Sequence, residues 1–108
     1  MSNMDAIDLL TKKDLILWYL DDGSYHINKK TMHLYSNMFN KEESIKLIDK
    51  ITNLFNIDPR LRIDRKKEGR EFYYLYFRRK MVKVFRPTVE KFLRKNNIDD
   101  LLYKAGIK

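Results

Sequence analysis

The chain contains no cysteine, two prolines, three glycines and two histidines in 108 residues. Without cysteine there can be no disulfides and no thiolate metal sites. Two histidines, His26 and His33, are too few for a histidine-built zinc site. No apolar run approaches the ~18 residues of a membrane span, and the opening "MSNMDAIDLLTKKD" lacks the basic-then-apolar pattern of a secretion signal. No linker or low-complexity tract is visible. These absences leave a soluble intracellular protein with no membrane partner, forming one domain over residues 1–108 around a single core.

Positive charge is abundant and concentrated. Residues 1–59 carry 7 Lys/Arg against 9 Asp/Glu, whereas residues 60–95 carry 14 against 4. The formal net charge of +8 therefore belongs to one third of the chain. Such a field favours polyanions, nucleic acid first and an anionic membrane surface second. Interleaving of cations and aromatics in "PRLRIDRKKEGREFYYLYFRRK" favours nucleic acid over a merely solvated surface.

Local signals set the order of elements. Thr11 opens the capping box "TKKD", which predicts a helix from about Lys12. A second box, "NKEE" at Asn40–Glu43, opens a helix with Ile45, Ile48, Ile51, Leu54 and Phe55 at helical spacing, ending near Asn56 before Asp58-Pro59. A third helix is expected over 79–95, kinked or divided at Pro87. A short last helix over about 98–105 follows, capped by Asn97 and stopped at Gly106. Between them lie alternating segments, "SYHIN" with "TMHLYSNM" and "RLRIDR" with "EFYYLYF". The fold class expected is α+β: an αββαββα unit with one antiparallel four-stranded sheet and its helices on one face.

Strand parity divides that sheet. Met32, Leu34 and Met38 share the inward side with Leu61, Ile63, Tyr73, Leu75 and Phe77. The outward side carries Ser24, His26, Asn28, Thr31, His33, Tyr35, Asn37, Arg60, Arg62, Asp64, Tyr74 and Tyr76, with Lys29, Lys30, Lys66, Lys67 and Arg70 in or beside the turns. Such a polar, aromatic and basic ribbon suits the edges of bases in a DNA major groove.

The stretch "LILWYLDDGSYHI" places six large apolar residues before adjacent carboxylates and a glycine. As a hairpin, Asp22-Gly23 would be a type I′ turn; as a helix, Gly23 would take the left-handed position beyond its end. The Thr11 box favours the helix. Asp21 and Asp22 then lie at the negative end of a helix dipole, which disfavours each anion by roughly 0.3–1 kcal/mol. Their presence makes sense with a hard divalent cation between them and solvent, Mg²⁺ or Mn²⁺, held jointly with phosphate oxygens. An all-apolar helix must also be covered on every side. Leu15, Ile16, Trp18 and Tyr19 are accordingly expected to pack against a second unit.

At the level of whole motifs, "LILWYLDDG" resembles the signature helix of LAGLIDADG homing endonucleases, in its Asp-Asp-Gly form. "SNMFNKEE" resembles the family's approach to its central helix, "FRPTVEKFL" its proline-containing late helix, and "LLYKAG" its C-terminal Tyr-Lys segment. Together these span roughly residues 11–106. The resemblance implies a site-specific, divalent-metal-dependent endonuclease for long duplex DNA targets, acting as a homodimer or with a complementary LAGLIDADG half. It implies Asp22 as metal ligand, Asp21 as the secondary candidate, and Lys104 as the cation that polarises water or stabilises phosphate charge. Asn37 is a supporting position near that site. Relatives that bind DNA without cutting it, or bind intron RNA as maturases, are the alternatives. In the family, small residues occupy the early motif positions where Ile16 and Leu17 stand here.

Overall fold

Two capping boxes start the helices that frame the sheet. Thr11 Oγ1 accepts the Asp14 N–H at 3.2 Å, and the Asp14 carboxylate accepts the Thr11 N–H at 2.9 Å. These bonds hold the Asp14 carboxyl below the usual carboxylate range. Asn40 and Glu43 reciprocate in the same way at 2.8 and 2.9 Å. The computed structural model describes residues 3–106. Its elements are α1 (Asn3–Asp8), α2 (Lys12–Asp22), β1 (Gly23–His26), β2 (Thr31–Tyr35), α3 (Lys41–Phe55), β3 (Arg60–Lys67), β4 (Arg70–Phe77) and α4 (Arg79–Lys95), followed by a 3₁₀ segment, Asp99–Ala105. The strands form one antiparallel sheet in the order β1-β2-β4-β3. The α+β expectation holds, with α1 as an unforeseen addition fastened to α3 by Lys46–Asp8 at 2.9 Å and Lys50 Nζ to the Asp8 carbonyl at 2.8 Å.

The core lies between one sheet face and α2, α3 and α4. Met32, Leu34, Leu75 and Phe77 supply the sheet side, all nearly inaccessible. Phe85 of α4 sits centrally, its ring centroid 5.2 to 5.5 Å from those of Phe77, Phe55 and Tyr19. Ser44 is buried on α3 and finds Ser36 Oγ at 3.4 Å, while Ser36 donates to the Tyr73 carbonyl at 3.2 Å. That pairing is what makes two buried hydroxyls tolerable.

Several local expectations are corrected. The inward line of α3 is Ser44, Leu47, Ile51 and Phe55, so Ile45, one position round the helix, faces solvent. α4 continues undivided through Pro87, which is exposed, so water can reach the carbonyl left without its partner. β2 stops at Tyr35 because the Phe39 N–H bonds back to the Ser36 carbonyl at 2.9 Å, leaving Met38 exposed in a turn. Ile27 and Asn28 belong to the β1–β2 turn, closed by the Lys30 N–H to the His26 carbonyl at 2.7 Å. The last helix is 3₁₀, with Ile98 as an N-cap lacking any side-chain bond; Asn97 instead takes a left-handed φ of 58°. Gly106, at φ 76°, does end it.

The largest correction concerns α2. Leu15, Ile16 and Tyr19 are 1%, 5% and 0% exposed and belong to the chain's own core. They are not free to meet a second unit, because the sheet and the other helices already cover that side. Trp18 is half-buried and packs edge-on against Phe39 at 5.4 Å. The stripe left uncovered is Asp14, Leu17 and Asp21, with the edge of Trp18.

Gly23 is extended (φ −94°, ψ 166°), not left-handed. Glycine is required there for space: a Cβ would overlap the Tyr19 ring and the Tyr19 carbonyl oxygen. Gly23→Ala is therefore expected to destabilise the fold by about 1–3 kcal/mol. Urea unfolding checks this, as a lower midpoint at unchanged slope.

Candidate nucleic-acid interface and catalytic corner

The sheet face away from the helices is a ring-lined surface. In the register, Ser24 lies opposite His33, His33 opposite Tyr76, and Tyr35 opposite Tyr74. His33 is the hub, its centroid 4.1 Å from His26, 4.7 Å from Tyr74 and 5.5 Å from Tyr76. Tyr35 and Tyr74 stand 5.8 Å apart. The Arg62 guanidinium lies 3.9 Å over the Tyr76 ring. Asn28, Lys29, His26, His33, Arg62, Tyr74 and Tyr76 share a groove of about 520 Å³. Arg60 is exposed opposite Tyr76.

A β-bulge rewrites the far end of this face. Ile63 pairs with Tyr73, and the next pair is Arg65 with Phe72, with the register shift falling at Asp64. Parity beyond the bulge is therefore reversed. Arg65 comes to the outward side with its guanidinium 4.6 Å from the Phe72 ring, where Arg70 approaches from 5.1 Å. Lys67 pairs with Arg70 in the register. Lys66 is corrected: it sits opposite Glu71 on the other side, at 3.7 Å from that carboxylate, which also accepts the Tyr73 hydroxyl at 2.7 Å. Unbroken alternation missed Arg65, since no residue in "RLRIDRKK" marks a bulge.

Two more positions are withdrawn from the accessible face, one by burial and one by turning away. Thr31 is 4% exposed, its short side chain opposite the larger His26 ring in the register. Lys30, with a left-handed φ of 56°, turns to a separate basic patch with Arg79, Lys83 and Arg86 around Tyr25. Asn37 lies in the turn after β2, half-buried, with Oδ1 unpartnered.

At the end of α2 three contacts close a loop. The Tyr19 hydroxyl donates to the Lys104 carbonyl at 2.8 Å, Lys104 Nζ donates to the Gly23 carbonyl at 2.8 Å, and Gly23 lies against the Tyr19 ring. Burial pushes the Tyr19 phenol pKa up, so the hydroxyl stays a donor. Arg86 fixes the same 3₁₀ segment by donating to the Ala105 and Gly106 carbonyls. Lys104 is thus held one residue from Asp22. Asp21 and Asp22 both line the open groove with Asp14, Leu17 and Trp18. Both carboxylates are exposed, and neither makes an ion pair among the described residues. No cluster of three or more metal-binding side chains occurs among the described residues. A pair of free carboxylates fits a hard cation only if phosphate and water complete its shell.

His33 is pushed down to about 4 by burial, with the His26, Arg62 and Lys29 charges adding to the effect and Asp64 opposing it. A histidine whose folded pKa lies below its unfolded value leaves the unfolded chain holding more protons between the two. Stability is therefore expected to fall as pH drops from about 6.5 toward 4, with the His33 ring titrating near the lower value. An NMR titration of the ring, with urea melts of wild type and His33→Gln, checks both.

No curated protein sequence matches the chain. A solved structure described as the homing endonuclease I-WcaI bound to its DNA recognition sequence aligns with a TM-score of 0.74 at 24% identity. The alignment covers 94% of this chain and 44% of that one, so the chain spans less than half its length. At that identity the likeness establishes the fold. No helix among the described residues is long and apolar enough to cross a membrane. The model of the LAGLIDADG DNA endonuclease family matches residues 3–105, and the chain belongs to that family.

Proposed function

We infer that the chain is one unit of a site-specific DNA endonuclease that hydrolyses phosphodiesters of a long duplex with the help of Mg²⁺ or Mn²⁺. The observation that carries this is the corner at the end of α2, where Lys104 is anchored beside the unpaired Asp21–Asp22 pair. The basic ring-lined sheet face supports a duplex partner, since a two-stranded ribbon fits the major groove. A DNA-bound homing endonuclease shares this fold.

On this reading the sheet face binds and orients the duplex, and Asp22, with Asp21 second, faces the scissile phosphate. A divalent ion there would lower the pKa of attacking water and neutralise phosphate oxygens. Lys104 keeps its charge directed at the same corner because Gly23 and Tyr19 restrain both ends of the residue. Water gives a proton to solvent and adds to phosphorus, and the P–O ester bond breaks with the leaving oxygen taking a proton from solvent. Lys104 offsets the negative charge that builds on the phosphoryl oxygens. One unit holds one such corner, so cutting both strands needs two units. The uncovered Asp14–Leu17–Trp18–Asp21 stripe, beside the exposed Met38, is the surface for a homodimer or a complementary half.

Asp22→Asn is expected to bind duplex DNA as wild type does while losing cleavage by at least about 100-fold, and Lys104→Met to lose about as much. Gel shifts and cleavage of a selected duplex with Mg²⁺ check this. Wild-type binding without cutting would instead support a non-cleaving regulator. A strictly monomeric species in gel filtration is expected to leave both-strand cutting undone; full cleavage by that species would overturn the two-unit requirement.

A further inference from the structure

We propose that the bulge at Asp64 divides the outward sheet face into two tasks. Arg62, against the Tyr76 ring, takes the major-groove edge of a guanine, and the Arg65–Arg70 pair beside Phe72 grips a backbone phosphate. This rests on the reading of the face as a duplex-DNA surface and assigns that reading to individual residues.

Arg62 is built as a reader. Its guanidinium carbon lies 3.9 Å from the centre of the Tyr76 ring, and it makes no ion pair among the described residues. The ring contact restrains the side chain, and no ion pair occupies its fork of N–H donors among the described residues. An oriented guanidinium loses less side-chain freedom on binding. Guanine presents two acceptors, O6 and N7, side by side in the major groove, matching that fork. The surrounding groove is lined by His33 and Tyr74, with Lys29 as its one cation besides Arg62, whereas three cations gather beyond the bulge.

Beyond the bulge the chemistry changes. Arg65 and Arg70 share one Phe72 ring at 4.6 and 5.1 Å, and Lys67 stands opposite Arg70. Glu71, the carboxylate in the adjacent pair, is on the other side with Lys66 and Tyr73, and Glu68 occupies the turn. Convergent like charges on a ring without hydrogen-bonding groups repel one another. A phosphate between them removes the repulsion and accepts from both forks. An uncharged base edge would not.

The test selects bound sites from a randomised duplex library with the full chain, then measures salt dependence on one enriched duplex. Wild type should enrich a G·C pair at one position. Arg62→Lys keeps the charge and loses the fork; it should relax that position alone, weakening the enriched duplex roughly 10-fold or more at a similar salt slope. The double variant Arg65→Gln/Arg70→Gln should weaken all duplexes alike, with the salt slope smaller by about 1 and base preferences intact. An Arg62→Lys variant with unchanged preferences at every position overturns the guanine assignment. A double variant that alters base preference at an unchanged slope overturns the phosphate assignment. If wild type binds duplex with no base preference, the guanine assignment fails while the duplex reading stands. If it binds no duplex even at low salt, the duplex reading itself has failed.

Discussion

Everything at the business end of this molecule depends on the contact between Tyr19 and Gly23. A helix made of Leu, Ile, Trp and Tyr must bury Tyr19, whose hydroxyl then needs an acceptor inside. The Lys104 carbonyl supplies it, which draws the C-terminal 3₁₀ segment across the end of α2. Because the ring fills the space beside the next strand, only glycine can start β1 there. With no side chain in the way, the Gly23 carbonyl is open to Lys104 Nζ. The junction of α2 and β1 meets a segment more than 80 residues away at a point defined by one aromatic ring. Arg86 adds a second tether on the same segment from α4.

Charge is arranged so that the two halves of the surface need opposite partners. The sheet face and its hairpin collect Arg60, Arg62, Arg65, Lys67 and Arg70, and the end of α2 exposes Asp21 and Asp22. These sets do not neutralise one another: the ion pairs among the described residues involve Lys46–Asp8, Lys66–Glu71 and Arg94–Glu90. Each of those is exposed enough to contribute little to stability. Leaving the functional charges unpaired costs modest repulsion at the surface. On the endonuclease reading, a polyanion approaches one set and a cation the other.

What the sequence made legible was local chemistry. Thr11–Asp14 and Asn40–Glu43 carry their capping function within four residues, so α2 and α3 start where the boxes lie. One antiparallel sheet built from two hairpins followed from alternation and short turns. What failed was non-local. Whether Leu15, Ile16 and Tyr19 face a partner or their own core depends on what the sheet and α4 leave uncovered, and an apolar run cannot report that. The bulge at Asp64 adjusts the β3–β4 pairing without a glycine to mark it, so Arg65 was hidden and Lys66 misplaced. Gly23 was read as a left-handed cap because glycine usually serves that role, whereas here crowding by Tyr19 selected it. Lys104 was reached through its motif, and its anchoring came only with the tertiary structure.

The weakness of the acidic corner as a metal site has a consequence for specificity. Two carboxylates and no third protein ligand would, on the endonuclease reading, hold a hydrated Mg²⁺ loosely, since that ion dehydrates reluctantly and seeks phosphate oxygens to complete its shell. On the endonuclease reading, a fully competent site exists only once a duplex is seated against the sheet face with a phosphate beside Asp22. Chemistry is then conditional on binding geometry. A poorly matched duplex that sits about 1 Å out of place loses far more rate than affinity, because the ion, the water and Lys104 must converge on the same phosphorus. Discrimination between targets is thereby greater at the cutting step than at the binding step. It arises from leaving the corner incomplete rather than from adding contacts to bases.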